Sequence, residues 1–462
     1  METMGKLSQN QPIRSCAVFG GGVAGLAAAE RLTAAGVKVT LFERETFLGG
    51  LCRRVQVGES YVDLGPHNVR TGSAEVLAYW KDLLGDHLEP RPVLKPKILF
   101  LGRLLSYPIE TKELLSQLPF AVLMRAGVDY FARHLRGPKQ IESYRDWVVK
   151  NYGKTLAKVF FEPLTEKIWC FPAEKLDANF GKKRIPKISV LRALLGLARS
   201  DRSHPEHPLF ADIYYPREGV YEICQKIAER IISRGGRILT QSEVCNYTLS
   251  DSNATVHWVD RMSGEKRTEN FDYILSSIPH NPGAKGTEEL VYRGTAFLFL
   301  EIPASDRLSV PLIYCADRDL PFNRVTDFSY FSTAIIGKER NVICIEYNPG
   351  STDDVTLEKY ADQIVESLKV LGLLKLGRIF ARRIDFEAVV YPVYVRGYGG
   401  LLAQMFAEFA QKERLLLLGR QALYQHINID GAIESGFRAV ELALTAPFDA
   451  QRKLDLYRKG LP

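Results

Sequence analysis

The 462-residue sequence predicts an α/β protein with a parallel sheet, and three features near the N-terminus carry this prediction. An apolar strand, Ala17–Phe19, runs directly into the turn Gly20-x-Gly22-x-x-Gly25. An alanine-rich helical pattern then continues to Leu32, and a second strand follows over residues 37–42. Strand, glycine turn, helix and strand in this order are the parts of a βαβ unit that binds a dinucleotide.

Each glycine of the turn has a physical role, and an acid completes the pattern. Gly20 permits the tight turn, Gly22 lets the backbone approach a pyrophosphate, and Gly25 lets the helix pack close to the strand. Glu43 ends the second strand and lies near the offset expected for a ribose ligand. An acid there disfavours the 2′-phosphate of NADP, so the residues leave FAD and NAD open.

Composition and charge narrow the class of protein. The chain is 46% hydrophobic and 25% charged, which is ordinary for a globular protein, and its net charge of +7 is mild for this length. Seven cysteines are scattered without a CxxC pair, a usage typical of reduced thiols. Neither a signal peptide nor an apolar stretch of membrane-spanning length is visible, so we expect a cytoplasmic protein without nucleic-acid partners.

The middle of the chain alternates between helical and strand-like patterns. Residues 73–199 are predicted to be mostly helical, and the apolar stretch 112–135 is predicted to pack in the core or to contact a membrane or a partner. After a polar link, the α/β pattern resumes with a helix over 219–232 and a hairpin around 244–259. Residues 295–347 are β-rich, and a buried strand at 414–420 precedes a last helix over 431–444.

Several motifs beyond the first turn resemble a large FAD-dependent clan. They include Gly49-Gly50, the turn Asp63-x-Gly65-x-His67, the segment Gly219-Val220-Tyr221, and Gly419-Arg420 with Asn428-x-Asp430. Together with the N-terminal fingerprint they resemble the clan of amine oxidases, protoporphyrinogen oxidase, carotenoid desaturases and UDP-galactopyranose mutase. The resemblance spans nearly the whole chain and implies FAD as the cofactor.

The resemblance also implies which residues contact FAD. The fingerprint would hold the pyrophosphate, Glu43 the ribose, and the backbone at Val244 the adenine, while the two later glycine turns and the N-terminus of the last helix lie beside the flavin ring. A helix N-terminus suits that place because reduced flavin carries negative charge at N1. The expected FAD contacts are Gly20, Gly21, Gly22, Val23, Ala24, Gly25, Glu43, Arg44, Gly49, Gly50, Leu51, Gly65, Pro66, His67, Val244, Ser277, Gly419, Arg420, Asn428, Ile429 and Ile433.

The fold that the resemblance implies is a Rossmann-type FAD-binding domain of the p-hydroxybenzoate-hydroxylase-like type, discontinuous in sequence, with an inserted helical and β-sheet substrate domain. We assign the FAD-binding domain to residues 13–72, 208–285 and 385–462. Residues 73–207 form a mainly helical cap, and residues 286–384 a β-rich substrate domain.

Three functions follow from the resemblance. The first is an oxidoreductase in which an organic substrate gives hydride to flavin N5 and dioxygen or another acceptor reoxidises the flavin. The second is a mutase-like enzyme that uses reduced FAD on a nucleotide sugar. Similar mutases carry an arginine four residues after the position of Arg184, where this chain has Ile188, and an aliphatic side chain cannot bind a diphosphate. The third is a flavin-holding scaffold without turnover.

Candidate site residues come from segments that follow the same resemblance. His67 is a candidate to orient the flavin or accept a proton, and Arg324 suits a carboxylate or phosphate on the substrate. Tyr107, Trp169, Tyr391 and Tyr394 are expected to line the substrate pocket together with Arg324. No metal site is predicted. The substrate, the electron acceptor and the oligomeric state stay open, because side chains from distant loops converge in ways that one sequence does not specify.

Overall fold

The computed structural model describes residues 13–67, 69–92, 94–107, 113, 116–136, 140–184, 213–280, 290–332, 334, 336–348, 353–375, 377–445 and 448–459. Its strands are β1 Ser15–Phe19, β2 Lys38–Phe42, β3 Arg54–Val57, β4 Ser60–Asp63, β5 Leu88–Arg91, β6 Lys97–Phe100, β7 Arg103–Ser106, β8 Ile213–Pro216, β9 Arg237–Leu239, β10 Ser242–Leu249, β11 Ala254–Asp260, β12 Lys266–Phe271, β13 Tyr273–Ser276, β14 Tyr292–Pro303, β15 Leu312–Cys315, β16 Arg324–Asp327, β17 Arg340–Tyr347, β18 Ala381–Pro392 and β19 Leu415–Leu417. Its α-helices are α1 Val23–Ala34, α2 Ala74–Leu84, α3 Phe120–Arg136, α4 Tyr144–Tyr152, α5 Lys154–Leu156, α6 Glu162–Trp169, α7 Ala178–Arg184, α8 Tyr221–Ser233, α9 Asp354–Val370, α10 Tyr398–Ala410, α11 Gly419–Ala422, α12 Ile429–Thr445 and α13 Ala450–Arg458.

The predicted βαβ unit forms the centre of a five-stranded parallel sheet. Its strand order is β19-β13-β1-β2-β9, so β1 lies in the middle and is paired on both edges. Helix α1 covers one face, and its alanines suit a crowded position between the sheet and helix α12. A Cβ on Gly436 of α12 would lie 2.8 Å from the carbonyl oxygen of Ala24. Small residues on both helices therefore bring α12 against the fingerprint helix.

A second, seven-stranded sheet is interleaved with the parallel sheet along the chain. Its strand order is β18-β14-β17-β16-β15-β6-β7, and all neighbours are antiparallel except β15 and β6. Helix α9 packs on one face through Ala361, Ile364 and Leu368, which are fully buried in a separate apolar core with strands β14 and β17. The opposite face contributes Phe297, Phe299, Val342 and Cys344 to the main core.

The region predicted to be mostly helical contains three short strands. Strands β6 and β7 join the edge of the seven-stranded sheet, and β5 pairs with β8. Residues 88–106 are therefore the strand-containing part of a block that is predicted to be mostly, not entirely, helical. The alternation of apolar and polar residues in these four-residue strands is too short to be recognised between segments that have helical periodicity.

The seven-stranded sheet also crosses the predicted domain boundaries. Strands β6 and β7 lie within the predicted cap, and most of β18 lies within the last predicted FAD-binding segment, yet all three pair with this sheet. The boundaries themselves stay a prediction. The apolar stretch predicted as a helix over 112–135 appears as α3, which begins at Phe120.

Among the described helices, none combines the length and the apolar character needed to cross a membrane.

Candidate active site

The fingerprint turn is tightly packed at Gly20 and Gly25 and leaves open space at Gly22. A Cβ on Gly25 would lie 2.0 Å from the carbonyl oxygen of Gly20, and a Cβ on Gly20 would lie 2.5 Å from Oγ of Ser277. Gly20 also has a φ of +95°, which favours glycine. A Cβ on Gly22, by contrast, would meet nothing within 4 Å. The backbone at Gly22 therefore borders an open space at the N-terminus of α1, where no side chain caps the helix.

Glu43 lies beside this open space. Its Oε2 accepts a hydrogen bond from the backbone N–H of Gly21 at 2.7 Å, and its Oε1 accepts from the N–H of Glu45 at 2.9 Å. The carboxylate is thus fixed next to the fingerprint, where its remaining lone pairs can accept from the hydroxyls of a ribose. The neighbouring Arg44 forms an ion pair with Glu45 at 3.0 Å, with a side chain that is largely exposed.

The Gly49-Gly50 turn lies against the fingerprint. The N–H of Gly49 donates to the carbonyl of Gly21 at 2.8 Å, and Gly49 forms an isolated bridge with Gly22. Both turn glycines have positive φ values, +94° and +55°, and a Cβ on Gly50 would lie 3.4 Å from Cα of Gly22. Two glycine turns therefore meet at one place, with the half-buried Leu51 following them.

A buried carboxylate anchors the turn that carries His67. Asp63, at the end of β4, accepts hydrogen bonds from the N–H of Val220 at 3.0 Å and from the hydroxyl of Tyr215. Burial raises the pKa of Asp63 to about 6, against the lowering effect of these hydrogen bonds. Because Val220 directly precedes helix α8, this contact joins the 63–67 turn to the FAD-type half of the protein.

The same turn faces the seven-stranded sheet. Gly65 has a φ of +105°, and a Cβ there would lie 3.2 Å from Cε1 of Phe297 and 3.7 Å from Oε1 of Glu346. His67 follows Pro66, and both side chains are half-buried. Burial, and then the positive charges of Arg420 and Arg324, lower the pKa of His67 to about 4. His67 is therefore neutral at pH 7.

The other predicted FAD contacts lie around the same open space or just behind it. Oγ of Ser277 donates to the carbonyl of Phe19 at 2.8 Å, and the N–H of Gly419 donates to Oγ of Ser435 at 2.9 Å. Asn428 is exposed at the start of α12, where its carbonyl accepts from the N–H of Ala432, while Ile429 and Ile433 are buried. Val244 is half-buried in β10.

Arg420 uses its guanidinium group on backbone carbonyls. It donates to the carbonyl of Ile427 at 2.9 and 2.6 Å and to that of Val390 at 3.4 Å. These bonds tie β18 to the loop before α12, so Arg420 positions the N-terminus of α12 and contributes a fixed positive charge to the site.

Two observations show that these residues fit FAD. Gly22 borders an open space beside an uncapped helix N-terminus, which suits a pyrophosphate, and Glu43 is fixed beside it. Twelve buried side-chain polar atoms of the described residues have no hydrogen-bond partner, and Nδ1 of His67 and Oε1 of Gln421 are two of them. Such unpaired polar atoms at the predicted flavin turn and next to Arg420 are consistent with partners supplied by a bound cofactor or substrate.

Arg324 lies in a row of side chains across the seven-stranded sheet. It is paired in register with Tyr314 on β15 and with Glu346 on β17, and its guanidinium group donates to Oε1 of Glu346 through Nε at 2.7 Å and through Nη2. Tyr314 packs against Tyr107 with the rings tilted by 37° and their centroids 5.1 Å apart, and Tyr107 is 44% exposed. The Glu346 carboxylate raises the pKa of Arg324 against the opposing effect of burial.

A second arginine, which the sequence analysis missed, lies nearby. Arg293 on β14 donates to Oδ1 of Asn348 at 3.1 Å and to Oγ1 of Thr295 at 2.8 Å, and Cys170 lies within hydrogen-bond reach of it. Only 6% of Arg293 is exposed, and burial lowers the pKa of its guanidinium group. Within the part of the chain that the structure describes, no carboxylate is within ion-pair distance of Arg293.

A β-bulge lies beside Arg293. Arg293 and Thr295 of β14 pair with Tyr391 and Glu387 of β18, so three residues of β18, 388–390, lie opposite the single Gly294. Gly294 packs closely on β18, since a Cβ there would lie 2.7 Å from Cζ of Phe386 and 3.0 Å from the carbonyl oxygen of Glu387. Bulges of this kind redirect side chains beside active sites. Residues 388–390 are apolar and contain no glycine, so the sequence carries no signal for this bulge.

An aromatic cluster borders the two arginines. The ring of Tyr391 lies below Arg293 and Arg420, at 5.6 and 5.2 Å, and stacks on His426 with centroids 4.8 Å apart. Trp169 packs edge-on against Tyr391 at 5.8 Å and is buried. Tyr394 is also buried, and its hydroxyl accepts from the N–H of His426 at 3.0 Å. Tyr394 therefore supports the cluster from the core, whereas Tyr391 is half-buried beside the arginines.

We expect His67 to make the unfolding free energy pH-dependent. The unfolded chain binds a proton at His67 below about pH 6.5, whereas the pKa of about 4 keeps the folded chain neutral there. The stability that depends on a neutral His67 is therefore fully present above pH 6.5 and decreases as the pH drops towards 4. His67→Gln, measured by thermal denaturation of the apoprotein between pH 4 and 7, reduces this fall.

His280 and Asp63 also make the unfolding free energy pH-dependent, but they do so equally in wild type and in His67→Gln. Burial lowers the pKa of His280 to about 4, so His280 also reduces stability as the pH falls. The raised pKa of Asp63 has the opposite effect on stability. His257→Gln, on the exposed hairpin β10–β11, is the control and leaves the fall unchanged. An identical pH dependence in wild type and His67→Gln would contradict the buried, neutral His67.

The fingerprint cradle and the glycine turns define a dinucleotide-binding flavoprotein. A family model described as flavin containing amine oxidoreductase matches residues 23–290, which is more than half of the chain. The chain belongs to this family, and it is an FAD-dependent oxidoreductase. No curated protein matches its sequence.

Solved structures show the same fold at low sequence identity. A reduced UDP-galactopyranose mutase is 19% identical, with a TM-score of 0.78 over 97% of this chain and 99% of that chain. The "Putative protoporphyrinogen oxidase" of Exiguobacterium sp. 255-15 is 17% identical, with a TM-score of 0.69 over 94% and 99%. An engineered putrescine oxidase is 14% identical, with a TM-score of 0.60 over 94% and 99%. At these identities the likeness concerns the fold alone.

Proposed function

We propose that this enzyme oxidises an organic substrate that carries an anionic group, with Arg293 and Arg324 binding that group. The observation that carries the proposal is the surplus of positive charge around the ring of Tyr391. Arg293, Arg324 and Arg420 meet there, and among the carboxylates of the described residues only Glu346 forms an ion pair with any of them. FAD, when bound, supplies the hydride acceptor for such an oxidation.

Burial makes the surplus charge significant. A buried guanidinium group without a counter-charge is costly, because desolvation is not offset by an ion pair. Arg293 has only neutral partners, the amide of Asn348 and the hydroxyl of Thr295, and the orphaned Nδ2 of Asn348 shows that further acceptor atoms are needed nearby. A substrate carboxylate or phosphate would supply both the charge and the acceptors.

The same charges disfavour a cationic substrate. A protonated polyamine would enter beside two fixed guanidinium groups, and like charges at close range in a poorly hydrated site repel strongly. The aromatic cluster of Tyr391, Trp169 and His426 gives the arginines an apolar neighbour that would orient a planar or aliphatic substrate body and exclude water. The neutral His67 offers an unpaired Nδ1 that can hold a proton.

The proposal is tested by anaerobic mixing of the FAD-loaded protein with candidate substrates while the oxidised flavin absorbance is followed. The panel contains a porphyrinogen with free carboxylates, the methyl ester of the same porphyrinogen, a polyamine, a neutral polyprenyl compound and a nucleotide sugar. We expect the porphyrinogen with free carboxylates to bleach the flavin band. Its methyl ester and the polyamine are expected to leave the band unchanged. Bleaching by the polyamine at equal or greater rate would overturn the proposal.

A redox-neutral reaction on a nucleotide sugar is the second candidate. It is favoured by the same pair of arginines, since a diphosphate is also a bidentate anion, and by the segment around Arg324 that resembles the mutases. Ile188 and the side chain of Arg184 lie outside what the structure describes. This candidate requires that no member of the panel bleaches the flavin and that the dithionite-reduced protein isomerises the nucleotide sugar.

A further inference from the structure

Helix α3 has an exposed apolar face that the fold does not use. Phe120, Met124, Val128 and Phe131 are 76%, 56%, 59% and 64% exposed. Residues spaced by three and four positions lie on one side of a helix, so these four side chains form one stripe. We call them the α3 stripe. Large apolar side chains that are grouped in this way mark an interaction surface, whereas isolated ones do not.

The opposite side of α3 attaches the helix to the protein. Ala126 and Tyr130 are buried, and Asp129 accepts hydrogen bonds from the N–H of Thr155, at 3.1 Å, and from its hydroxyl, at 2.6 Å. A Cβ on Gly153 would lie 3.0 Å from the backbone of Asp129, so the start of α5 packs closely on α3. The helix is therefore held by its inner side, and the α3 stripe is not needed to hold it.

The segment of the chain that contains the α3 stripe is strongly basic. Residues 120–158 contain eight Lys or Arg and three Asp or Glu, which gives this segment a net charge of +5 within a chain of +7. All three acids have partners in the protein: Asp129 binds Thr155, Asp146 caps α4 through Ser143, and Glu142 binds Arg396. Among the described residues, Arg125, Lys150, Lys154 and Lys158 form no ion pair. The positive charge is consequently available to an external anion.

We propose that the α3 stripe and these four cations dock the protein on a membrane surface of anionic lipid. A helix with aromatic and aliphatic residues on one side and flanking cations is suited to lie in the interface, with its apolar side chains among the acyl chains and its cations at the headgroups. A second copy of this chain would bring together two segments of net charge +5 and is disfavoured by repulsion. The docking does not depend on which substrate the enzyme oxidises.

Co-sedimentation of the FAD-loaded protein with vesicles tests this proposal. The vesicles are pure phosphatidylcholine or phosphatidylcholine with phosphatidylglycerol. We expect binding to the anionic vesicles alone and loss of binding at high salt, because the charges are exposed and screened. The double variant Phe120→Ser/Phe131→Ser is expected to reduce the partition coefficient by at least about tenfold. The triple variant Lys150→Gln/Lys154→Gln/Lys158→Gln is expected to reduce it as well.

The matched control removes exposed apolar side chains elsewhere. Met262→Ser/Val355→Ser replaces residues that are 79% and 80% exposed, and it is expected to bind vesicles like wild type. Thermal denaturation and flavin content confirm that each variant is folded. The proposal is overturned if wild type fails to bind anionic vesicles. It is equally overturned if, without lipid, sedimentation velocity shows a wild-type dimer that Phe120→Ser/Phe131→Ser dissociates, because a second copy would then cover the stripe.

Discussion

Arg324→Met is expected to lower kcat/KM for the anionic substrate by about 10²–10³-fold and to lower the free energy of unfolding by about 3–5 kcal/mol. The two effects have separate causes. The loss of activity follows from the lost ligand for the substrate anion. The loss of stability follows because Glu346, whose side chain is only 6% exposed, is left as a buried carboxylate without its partner. Steady-state kinetics and urea denaturation measure the two quantities.

The double variant Arg324→Met/Glu346→Gln separates these causes. Without the Glu346 charge no carboxylate is left unpaired, so most of the lost stability returns, whereas the lost activity does not. Arg324→Lys keeps the charge but not the two-pronged donation to the Glu346 carboxylate, and it is expected to have intermediate activity. Full activity in the stable double variant would contradict a role for Arg324 in substrate binding.

Gly25→Ala is expected to weaken FAD binding by about 10²-fold, equivalent to about 3 kcal/mol. The added Cβ would lie 2.0 Å from the carbonyl oxygen of Gly20, and a backbone atom cannot move aside as a side chain does. Helix α1 must then shift away from the turn that binds the pyrophosphate. Equilibrium titration of the apoprotein with FAD, followed by flavin fluorescence, measures the change.

Gly399→Ala is the control for this substitution. Gly399 lies in helix α10, and a Cβ there would meet nothing within 4 Å. Alanine favours a helix over glycine by about 1 kcal/mol, so the control retains FAD and is slightly more stable. If Gly25→Ala bound FAD as tightly as Gly399→Ala, the close packing of turn and helix would not be what shapes the cofactor site.

The FAD half of the protein is predictable from sequence because its signals are local. Gly20, Gly22, Gly25 and Glu43 lie within a short stretch: Gly20 has a positive φ, Gly25 is in close contact with the turn, Gly22 leaves space open, and Glu43 accepts from the fingerprint backbone. Strand β1, helix α1 and strand β2 follow from the same stretch. Assignment to the flavin containing amine oxidoreductase family and to FAD agrees with that prediction.

The substrate half is harder to predict because its contacts join distant residues. Arg324 was found through a motif, but Arg293 lies beside a bulge in β18 and has partners such as Asn348 and Tyr391, which are 55 and 98 positions away. Strand pairing of β6 with β15 likewise joins residues more than 200 positions apart. Neither relation leaves a periodic pattern in the sequence, so the cluster of arginines emerges only once the sheet is assembled.

The role of the cluster of Arg293, Arg324 and Arg420 is tested most directly by titrating the FAD-loaded protein with two small ions, pyrophosphate and spermidine, while the flavin absorbance spectrum is recorded. We predict that pyrophosphate perturbs the spectrum saturably and more weakly at high salt, that spermidine does not, and that Arg293→Met raises the Kd for pyrophosphate at least about tenfold. Saturable perturbation by spermidine, with no response to pyrophosphate, would contradict the account.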